Sequence, residues 1–321
     1  MKKRWKIIAV VVGLVALPAP SVDAGTELQQ VRVALARREA VDNLPYFIGV
    51  GMGFFKEVGI DLQPWYFRGD DEVVRAVTSR AVDLAGSAAP ASIFSAVSRG
   101  EPIRILSGNV VPLVGIVWVV RAESAFRSVQ DLRGKRVGFS SPGSVVHTAI
   151  QAVLRAEALE GSVKLVQAGT PVDNWAAVRG GFLDAGWHMT PAVHALLVQG
   201  EARIIINGSD YVKNYMQSSV AAMRTVIEQE PEMIRNFLRA RARAVRFIWE
   251  SPPRTVALWT GELRLPAEAV RLAYRQLPKT AFPVGTPRME ELDGTMQEAM
   301  RSGTLKEPLD IQQLLDLRFL P

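Results

Sequence analysis

The chain has no cysteine. Disulfides, thiol nucleophiles, Cys-ligated zinc and Fe–S clusters are therefore excluded from its chemistry. Histidine is nearly as scarce: His147, His188 and His194 are the three present, too few for a multi-histidine metal site with ligands to spare. Charge of one sign is not in large excess either. The formal net charge is +6, but the first 24 residues carry Lys2, Lys3, Arg4 and Lys6 against Asp23, which leaves +3 for the rest. That balance gives no argument for nucleic acid or a membrane surface as partner. No Gly-x-Ser-x-Gly elbow, no phosphate loop ending Gly-Lys-Ser/Thr and no His-Glu-x-x-His is present, so the common hydrolase, nucleotidase and metalloprotease signatures are missing.

Long apolar runs are also absent. The run at residues 7–17 spans about eleven residues, whereas a helix needs roughly twenty to cross a bilayer. It follows the basic start Lys2-Lys3-Arg4-Trp5-Lys6 and precedes Pro18-Ala19-Pro20-Ser21-Val22-Asp23-Ala24, a small and polar exit ending in Val-x-Ala. Basic start, short apolar run and small exit are the three parts of a secretory signal peptide, with cleavage expected after Ala24. With no Cys to accept a lipid, the mature protein is expected to be soluble and periplasmic.

What is present is a regular alternation. Short β-branched runs at residues 31–35, 60–66, 83–86 and 103–107 alternate with amphipathic stretches at 44–57, 70–79 and 89–99, the pattern of an α/β domain with a largely parallel sheet. A second series starts at the apolar strand 115–121 and repeats the layout through 202–206. From about Ser218 the chain runs back, and residues 226–321 read as helices broken by prolines, placed against the first lobe. The expected fold is α/β, a two-lobed arrangement of two mixed, largely parallel sheets joined by a two-strand hinge. Its expected divisions are a signal peptide at 1–24, lobe 1 at 25–117 and 220–321, and lobe 2 at 118–219.

Four strings carry a family resemblance: residues 44–62, Leu-Pro-Tyr-Phe-Ile-Gly-Val-Gly-Met-Gly-Phe-Phe-Lys-Glu-Val-Gly-Ile-Asp-Leu; Arg80-Ala81-Val82-Asp83-Leu84-Ala85; Gly100-Glu101-Pro102-Ile103-Arg104; and Asp131-Leu132-Arg133-Gly134-Lys135-Arg136-Val137-Gly138. With Gly181-Phe182-Leu183-Asp184-Ala185, they resemble the periplasmic solute-binding proteins of ABC importers for nitrate, sulfonates, taurine and thiamine pyrimidine precursors. The resemblance implies type II periplasmic-binding-protein lobes that close on a ligand by hinge bending, a monomer, no cofactor, no catalysis, and delivery to an inner-membrane permease with its ATPase. These strings are glycine-ended helices and tight corners, so they identify a fold and no ligand. A sensor that docks on a receptor would look the same in sequence. Enzymes on this architecture, such as the menaquinone-pathway dehydratases and the yeast-type pyrimidine synthase, work in compartments that a signal peptide excludes, and the latter needs a Cys-rich motif absent here.

In open α/β sheets ligands sit beyond the carboxyl ends of the strands, which selects the candidate binding residues. From the first lobe these are Arg37, Arg38, Asn43, Tyr46, Ser87, Ala88 and Asn109; from the second, Ser140, Ser141, Gly143, Ser144, Thr170, Trp187, His188 and Thr190. Ser140-Ser141-Pro142-Gly143-Ser144 opens a helix, where free N–H groups and the helix dipole favour an anion, though the same serines suit plain capping. Arg37 and Arg38 offer bidentate forks to a carboxylate or sulfonate. Tyr46 and Trp187 offer rings for a planar ligand. The acids Glu39, Asp42 and Asp173 in the same loops count against a purely anionic site; the expected ligand is a small organic anion such as a sulfonate or carboxylate, with a planar aromatic or pyrimidine-like compound as the alternative.

Overall fold

The computed structural model describes residues 27–142 and 144–321; the expected signal peptide and Gly143 lie outside the described residues. The chain begins β1 (Gln29–Ala36), α1 (Leu44–Gly51), β2 (Ile60–Phe67), α2 (Asp70–Thr78), β3 (Leu84–Ala88), α3 (Pro90–Ser98), β4 (Ile103–Val110). It continues β5 (Ile116–Arg121), β6 (Arg136–Phe139), α4 (Val145–Ala156), β7 (Lys164–Gln167), α5 (Pro171–Arg179), β8 (Gly186–Met189), α6 (Ala192–Val198), β9 (Ala202–Asn207), α7 (Gly208–Tyr211). The return strand β10 (Ser218–Met223) leads into α8 (Arg224–Gln229), α9 (Pro231–Glu250), α10 (Pro252–Leu263), α11 (Ala267–Gln276), α12 (Met289–Arg301) and α13 (Ile311–Leu314).

The first sheet has the order β2-β1-β3-β10-β4. β1 lies parallel between β2 and β3, and its residues 33–36 are buried, as expected of a strand covered on both faces. β2 is the edge strand, which is where Pro64 is tolerated and where Trp65 stands 48% exposed. β10 returns antiparallel between β3 and β4, pairing Ser219 with Ala88 and Ser218 with Val110. That pairing carries β3 and β4 further than the sequence pattern suggests, so Ser87, Ala88 and Asn109 sit inside strands instead of in loops.

In the second half β5 runs antiparallel to both β8 and β9, while β6 and β7 pair in parallel. The two pieces are stitched at Gly138, whose N–H donates to the Ala185 carbonyl at 2.8 Å and whose carbonyl accepts from Trp118 Nε1 at 2.9 Å. The mixed α/β architecture is the expected one. The second sheet is more antiparallel than the alternation alone suggests, because β5 enters it against both of its neighbours.

The helix expected over residues 44–57 stops at Gly51. Gly53 adopts φ +74, a left-handed turn that folds Phe54 and Phe55 back into the core. A Cβ at Gly49 would meet the Phe55 ring at 2.4 Å, so this close approach requires glycine there. α9 presents Met233, Ile234, Phe237, Leu238, Ala244, Val245 and Ile248 to the first core, a helical stripe in which burying Phe237 alone is worth about 2–3 kcal/mol.

The C-terminal helices also reach the second half, beyond the expected packing on lobe 1. His194 Nε2 meets Gln276 Oε1 at 2.9 Å, Arg155 Nη2 donates to Glu298 Oε2 at 2.9 Å, and the Met216 N–H donates to Thr295 Oγ1 at 2.9 Å. Two crossovers join the sheets, residues 111–115 between β4 and β5 and residues 212–217 between α7 and β10; α11 and α12 thus hold α6, α4 and the second of them. Among the described residues no helix is long and apolar enough to cross a membrane.

Candidate functional site

Four helices, α2, α3, α4 and α5, begin where parallel strands end, and their first turns converge on one cleft of about 660 Å³. Each N-terminus brings unpaired N–H groups and roughly half a positive charge to the space between the sheets. The first-sheet wall consists of Arg37, Arg38 and Glu39 after β1, residues 66–72 at the end of β2 with Arg75, and Ala89, Ala91 and Ser92 at α3. The facing wall consists of Ser140, Ser141, Ser144 and Val145 at α4, Gln167, Gly169, Thr170, Pro171 and Asp173 at α5, and Trp187 of β8, with Tyr215 from the second crossover.

Of the residues selected from the sequence, the cleft brings together Arg37, Arg38, Ser140, Ser141, Ser144, Thr170 and Trp187. Gly143 lies outside the described residues. Asn43, Tyr46, Ser87, Ala88, Asn109, His188 and Thr190 do not line the cleft, and all seven are buried. Most of them hold up the floor. Ser87 Oγ accepts from the Ala36 N–H at 2.8 Å, and Asn43 Nδ2 donates to the carbonyls of Ala36, Arg37 and Arg38 at 3.1, 2.9 and 3.3 Å. That grip supports Arg37 in a left-handed conformation with φ 43, which a non-glycine residue adopts at a cost. The Tyr46 hydroxyl donates to the Gly86 carbonyl at 2.6 Å, and burial pushes its pKa up to about 12, with Arg241 pulling the other way.

Below the floor, Arg241 is 1% exposed, and among the described residues no carboxylate is in hydrogen-bond contact with it. Its Nε and Nη2 donate to Asn109 Oδ1 at 3.2 and 3.1 Å, and its Nη1 donates to the Pro283 carbonyl at 2.9 Å. Burial lowers its pKa. Asn109 Nδ2 in turn donates to the Asp42 carbonyl at 3.0 Å and to Ser218 Oγ at 3.1 Å. Asp42 accepts from Gln217 Nε2 at 2.8 Å, and Gln217 Oε1 accepts from the Val114 N–H at 2.6 Å. One glutamine therefore ties both crossovers to the first sheet. Burial raises the Asp42 pKa, against the hydrogen bonds from Ser218 and Gln217 and the charge of Arg37.

Two of the cleft's guanidiniums, Arg37 and Arg38, are ion-paired. Arg37 Nη2 donates to Asp70 Oδ2 at 3.1 Å. Burial works against the Arg37 charge, but Asp70, Asp42 and Glu39 outweigh it, and its pKa is raised. Arg38 pairs with Glu262 and lies 5.4 Å from the Tyr66 ring centre. Asp71 accepts from Ser92 Oγ at 2.7 Å, and Glu72 accepts the Arg68 N–H at 3.0 Å. Asp173 closes a capping box with Thr170, which lowers its pKa, helped by the charge of Arg68 from the opposite wall. Ser144 caps α4 by accepting from the His147 N–H at 3.2 Å, donates to the Ser141 carbonyl at 2.8 Å and sits 2.7 Å from Ser140 Oγ. Trp187 is 1% exposed and its indole N–H donates to the Gly169 carbonyl at 3.0 Å, so it forms a wall and not a free stacking face.

Residues 66–72 and Arg75 are not among the residues selected from the sequence. The usable signal was Arg68-Gly69-Asp70-Asp71-Glu72 at the carboxyl end of a strand parallel to β1, the same rule that selected Arg37. Asp184 accepts from the Arg136 backbone N–H at 2.8 Å, and His188 Nδ1 accepts from the Met189 N–H at 3.0 Å, so both side chains serve the backbone around them. Among the described residues no group of three or more His, Asp or Glu side chains is placed to hold a metal ion.

Comparison with known proteins fits this geometry. Residues 41–255 match the family described as NMT1/THI5 like. The riboflavin-binding protein RibY of Chloroflexus aurantiacus is 25% identical over 318 residues, covering 94% of this chain and 89% of that protein. The periplasmic aliphatic sulphonate binding protein SsuA of Escherichia coli superposes with a TM-score of 0.74 at 20% identity, covering 89% of this chain and 97% of that one. The desulfurization enzyme DSZB has the same fold with a TM-score of 0.65 at 17% identity, covering 90% of this chain and 97% of that one. The fold thus carries both binding and catalysis, and residues must decide between them.

Proposed function

The chain belongs to the NMT1/THI5-like family, and from that premise we propose that it is the extracytoplasmic solute-binding component of an ABC importer. The carrying observation is the cleft of about 660 Å³ walled by the strand ends of two different sheets, in which polar groups from both walls converge. A solute bridging both walls binds the closed arrangement better than the open one, and that difference in affinity drives closure. The closed form then presents its outer rims to an inner-membrane permease with its ATPase. No covalent step is involved.

Within this role we assign a small organic solute with a planar ring and polar edges. Five carboxylates and four guanidiniums line the cleft, and two of those guanidiniums already pair with carboxylates, so a simple anion meets little net positive field. Tyr66, Phe67, Trp187 and Tyr215 supply an aromatic boundary. The riboflavin-binding relative supports the same class. A small organic anion, a sulfonate or carboxylate, is the second reading. It rests on the α4 and α5 N-termini and on Arg75, which has no ion pair among the described residues.

Isothermal titration of the purified chain with flavins, pyrimidines, alkanesulfonates and dicarboxylates tests both. Saturable one-to-one binding of a ring compound, competed by no sulfonate, supports the assignment. Binding of sulfonates alone transfers it to the second reading, and binding of nothing across these classes removes the cleft from consideration.

A further inference from the structure

Three of the chain's five tyrosines spend their hydroxyls within the protein: Tyr46 donates to the Gly86 carbonyl at 2.6 Å, Tyr211 to Glu157 Oε1 at 2.8 Å and Tyr274 to the Ile248 carbonyl at 2.7 Å. Tyr215 does not. It is 2% exposed, and a tyrosine buried to that degree usually finds a partner for its O–H, yet its hydroxyl makes no hydrogen bond among the described residues. Nor is its oxygen one of the buried side-chain atoms that lack a partner and are closed off from solvent, so it keeps a face on open space. The open space that Tyr215 borders is the main cleft.

The residue sits on the second crossover, which holds it from both sides. Its ring packs in the second core with Val212. Before it, Asn214 takes a left-handed turn with φ 43, a conformation asparagine tolerates, and its carbonyl comes so near α12 that a Cβ at Gly294 would stand 1.9 Å away. After it, the Met216 N–H donates to Thr295 Oγ1 at 2.9 Å, and Gln217 bridges Asp42 and the Val114 N–H. Backbone on either side is therefore clamped, and Tyr215 offers the cleft a fixed phenol on the joint between its two walls.

Burial raises the Tyr215 pKa, and the charges of Asp70 and Glu298 raise it further, so the phenol stays protonated at neutral pH and stands as a donor. Those two carboxylates are engaged elsewhere, Asp70 with Arg37 and Glu298 with Arg155. Their charge opposes an anion at the phenol oxygen, whereas an uncharged acceptor meets no such opposition. We propose that Tyr215 is a specificity-determining residue of the cleft, whose O–H donates to an uncharged acceptor, a carbonyl oxygen or ring nitrogen, on the polar edge of the ring solute. The inference rests on the cleft being the solute site and names one contact within it. A solute lacking that acceptor displaces water from the phenol and leaves a buried donor unpaired, so it binds less tightly.

The test compares the parent with Tyr215→Phe, which keeps the ring and removes the hydroxyl. Both are titrated calorimetrically with lumiflavin and uracil, which carry carbonyl edges, and with ethanesulfonate; the free proteins are unfolded thermally, and the parent labelled with ¹³C at tyrosine Cζ is followed by NMR. The variant is expected to lose about tenfold in affinity for the ring compound that binds the parent and to keep the parent's unfolding temperature, because the hydroxyl has no partner in the protein to lose. The Tyr215 Cζ signal, identified by its disappearance in the variant, should move as that compound saturates the parent. A hydroxyl with a structural role alone would do the reverse, lowering the unfolding temperature and sparing affinity, and a variant that does not fold would overturn the assignment in the same way. Equal affinity in the two proteins, a Tyr215 signal that stays in place in the saturated parent, or binding of ethanesulfonate alone would also overturn it; each of these leaves the cleft standing as a solute site. Binding of none of the three to the parent would remove the cleft reading, and this contact with it.

Discussion

The two walls of the cleft are built on opposite plans. The first-sheet wall is charged: Arg37, Arg38, Glu39, Arg68, Asp70, Asp71, Glu72 and Arg75 stand beyond the ends of β1 and β2 and within α2. The second-sheet wall carries a single charged side chain, Asp173, and otherwise offers hydroxyls, Gln167, glycine backbone and helix starts. Division of labour follows from the physics. Hydroxyls and backbone groups already locked into caps change little when a ligand arrives, so the second wall contributes a preformed polar surface. Paired charges can exchange partners, so the first wall sets which charge pattern is accepted.

The largest effect that sharpens this comparison is removal of Asp70. The Asp70 and Arg37 side chains are 10% and 20% exposed, so Asp70→Ala strands a guanidinium in a nearly dry position. A loss of about 3–4 kcal/mol in urea unfolding is expected, since breaking one side of a buried pair costs that order. Asp70→Asn should recover part of it by keeping an acceptor. Equal stability of Asp70→Ala and the parent would show that Asp42 alone holds Arg37.

The second sheet should respond to pH through a histidine buried away from the cleft wall. Burial lowers the His188 pKa from 6.5 to about 4, with the hydrogen bond at Met189 opposing and the His194 charge adding. A pKa depressed by folding means that the unfolded chain binds more protons between those two values. The stability it provides is complete above pH 6.5 and is lost as pH falls toward 4, about 3 kcal/mol in all. Unfolding free energies at pH 7 and pH 4.5 should therefore differ less in His188→Gln than in the parent. An identical pH dependence in the two proteins would assign the acid sensitivity elsewhere, to His147 or His194, whose pKa values burial also lowers.

A smaller effect separates the walls in binding. Arg75→Ala removes a guanidinium that no carboxylate holds among the described residues, so affinity for an anionic solute should fall about tenfold, or about 1.4 kcal/mol, while a neutral ring compound should bind as before. Titration of both solute types against the variant reads this directly. Loss of both would mean that Arg75 shapes the wall and does not select charge.

The two walls were also unequally legible in the sequence. Ser140, Ser141, Ser144, Thr170 and Trp187 were selected because capping motifs and strand ends announce themselves locally. Half of the first wall went unselected because Asp70, Asp71 and Glu72 also fit the first turn of any helix, where acids favour the dipole, and nothing local distinguishes the two uses. The reverse error had a long-range cause. Ser87, Ala88 and Asn109 look like loop residues until β10, more than a hundred residues later, pairs beside them and extends their strands. Tyr46 sits at a helix start that does face the right way along the sheet, but its ring turns inward to the Gly86 carbonyl and stacks 6.1 Å from Phe237. Repeats, glycine-ended helices and the alternation of strand and helix are local facts and gave the architecture; burial of polar groups is a tertiary fact and did not show.

The smallest expected effects test whether the second wall is preformed. Thr170 and Asp173 exchange hydrogen bonds as a capping box, with Thr170 Oγ1 donating to Asp173 Oδ2 at 2.6 Å and accepting the Asp173 N–H at 3.3 Å. Thr170→Val keeps the shape and removes the cap, at a cost of about 1 kcal/mol in stability. Ser144→Ala does the same at α4. If these hydroxyls are spent on the helices, both variants lose stability by that amount and keep solute affinity within about twofold, whereas Ser141→Ala, whose hydroxyl makes no hydrogen bond among the described residues, leaves stability alone and weakens binding. Thermal unfolding and titration on the three variants decide the matter. Should Ser144→Ala weaken binding and spare stability, the cap is exchanged for ligand on closure, and the second wall is as adaptable as the first.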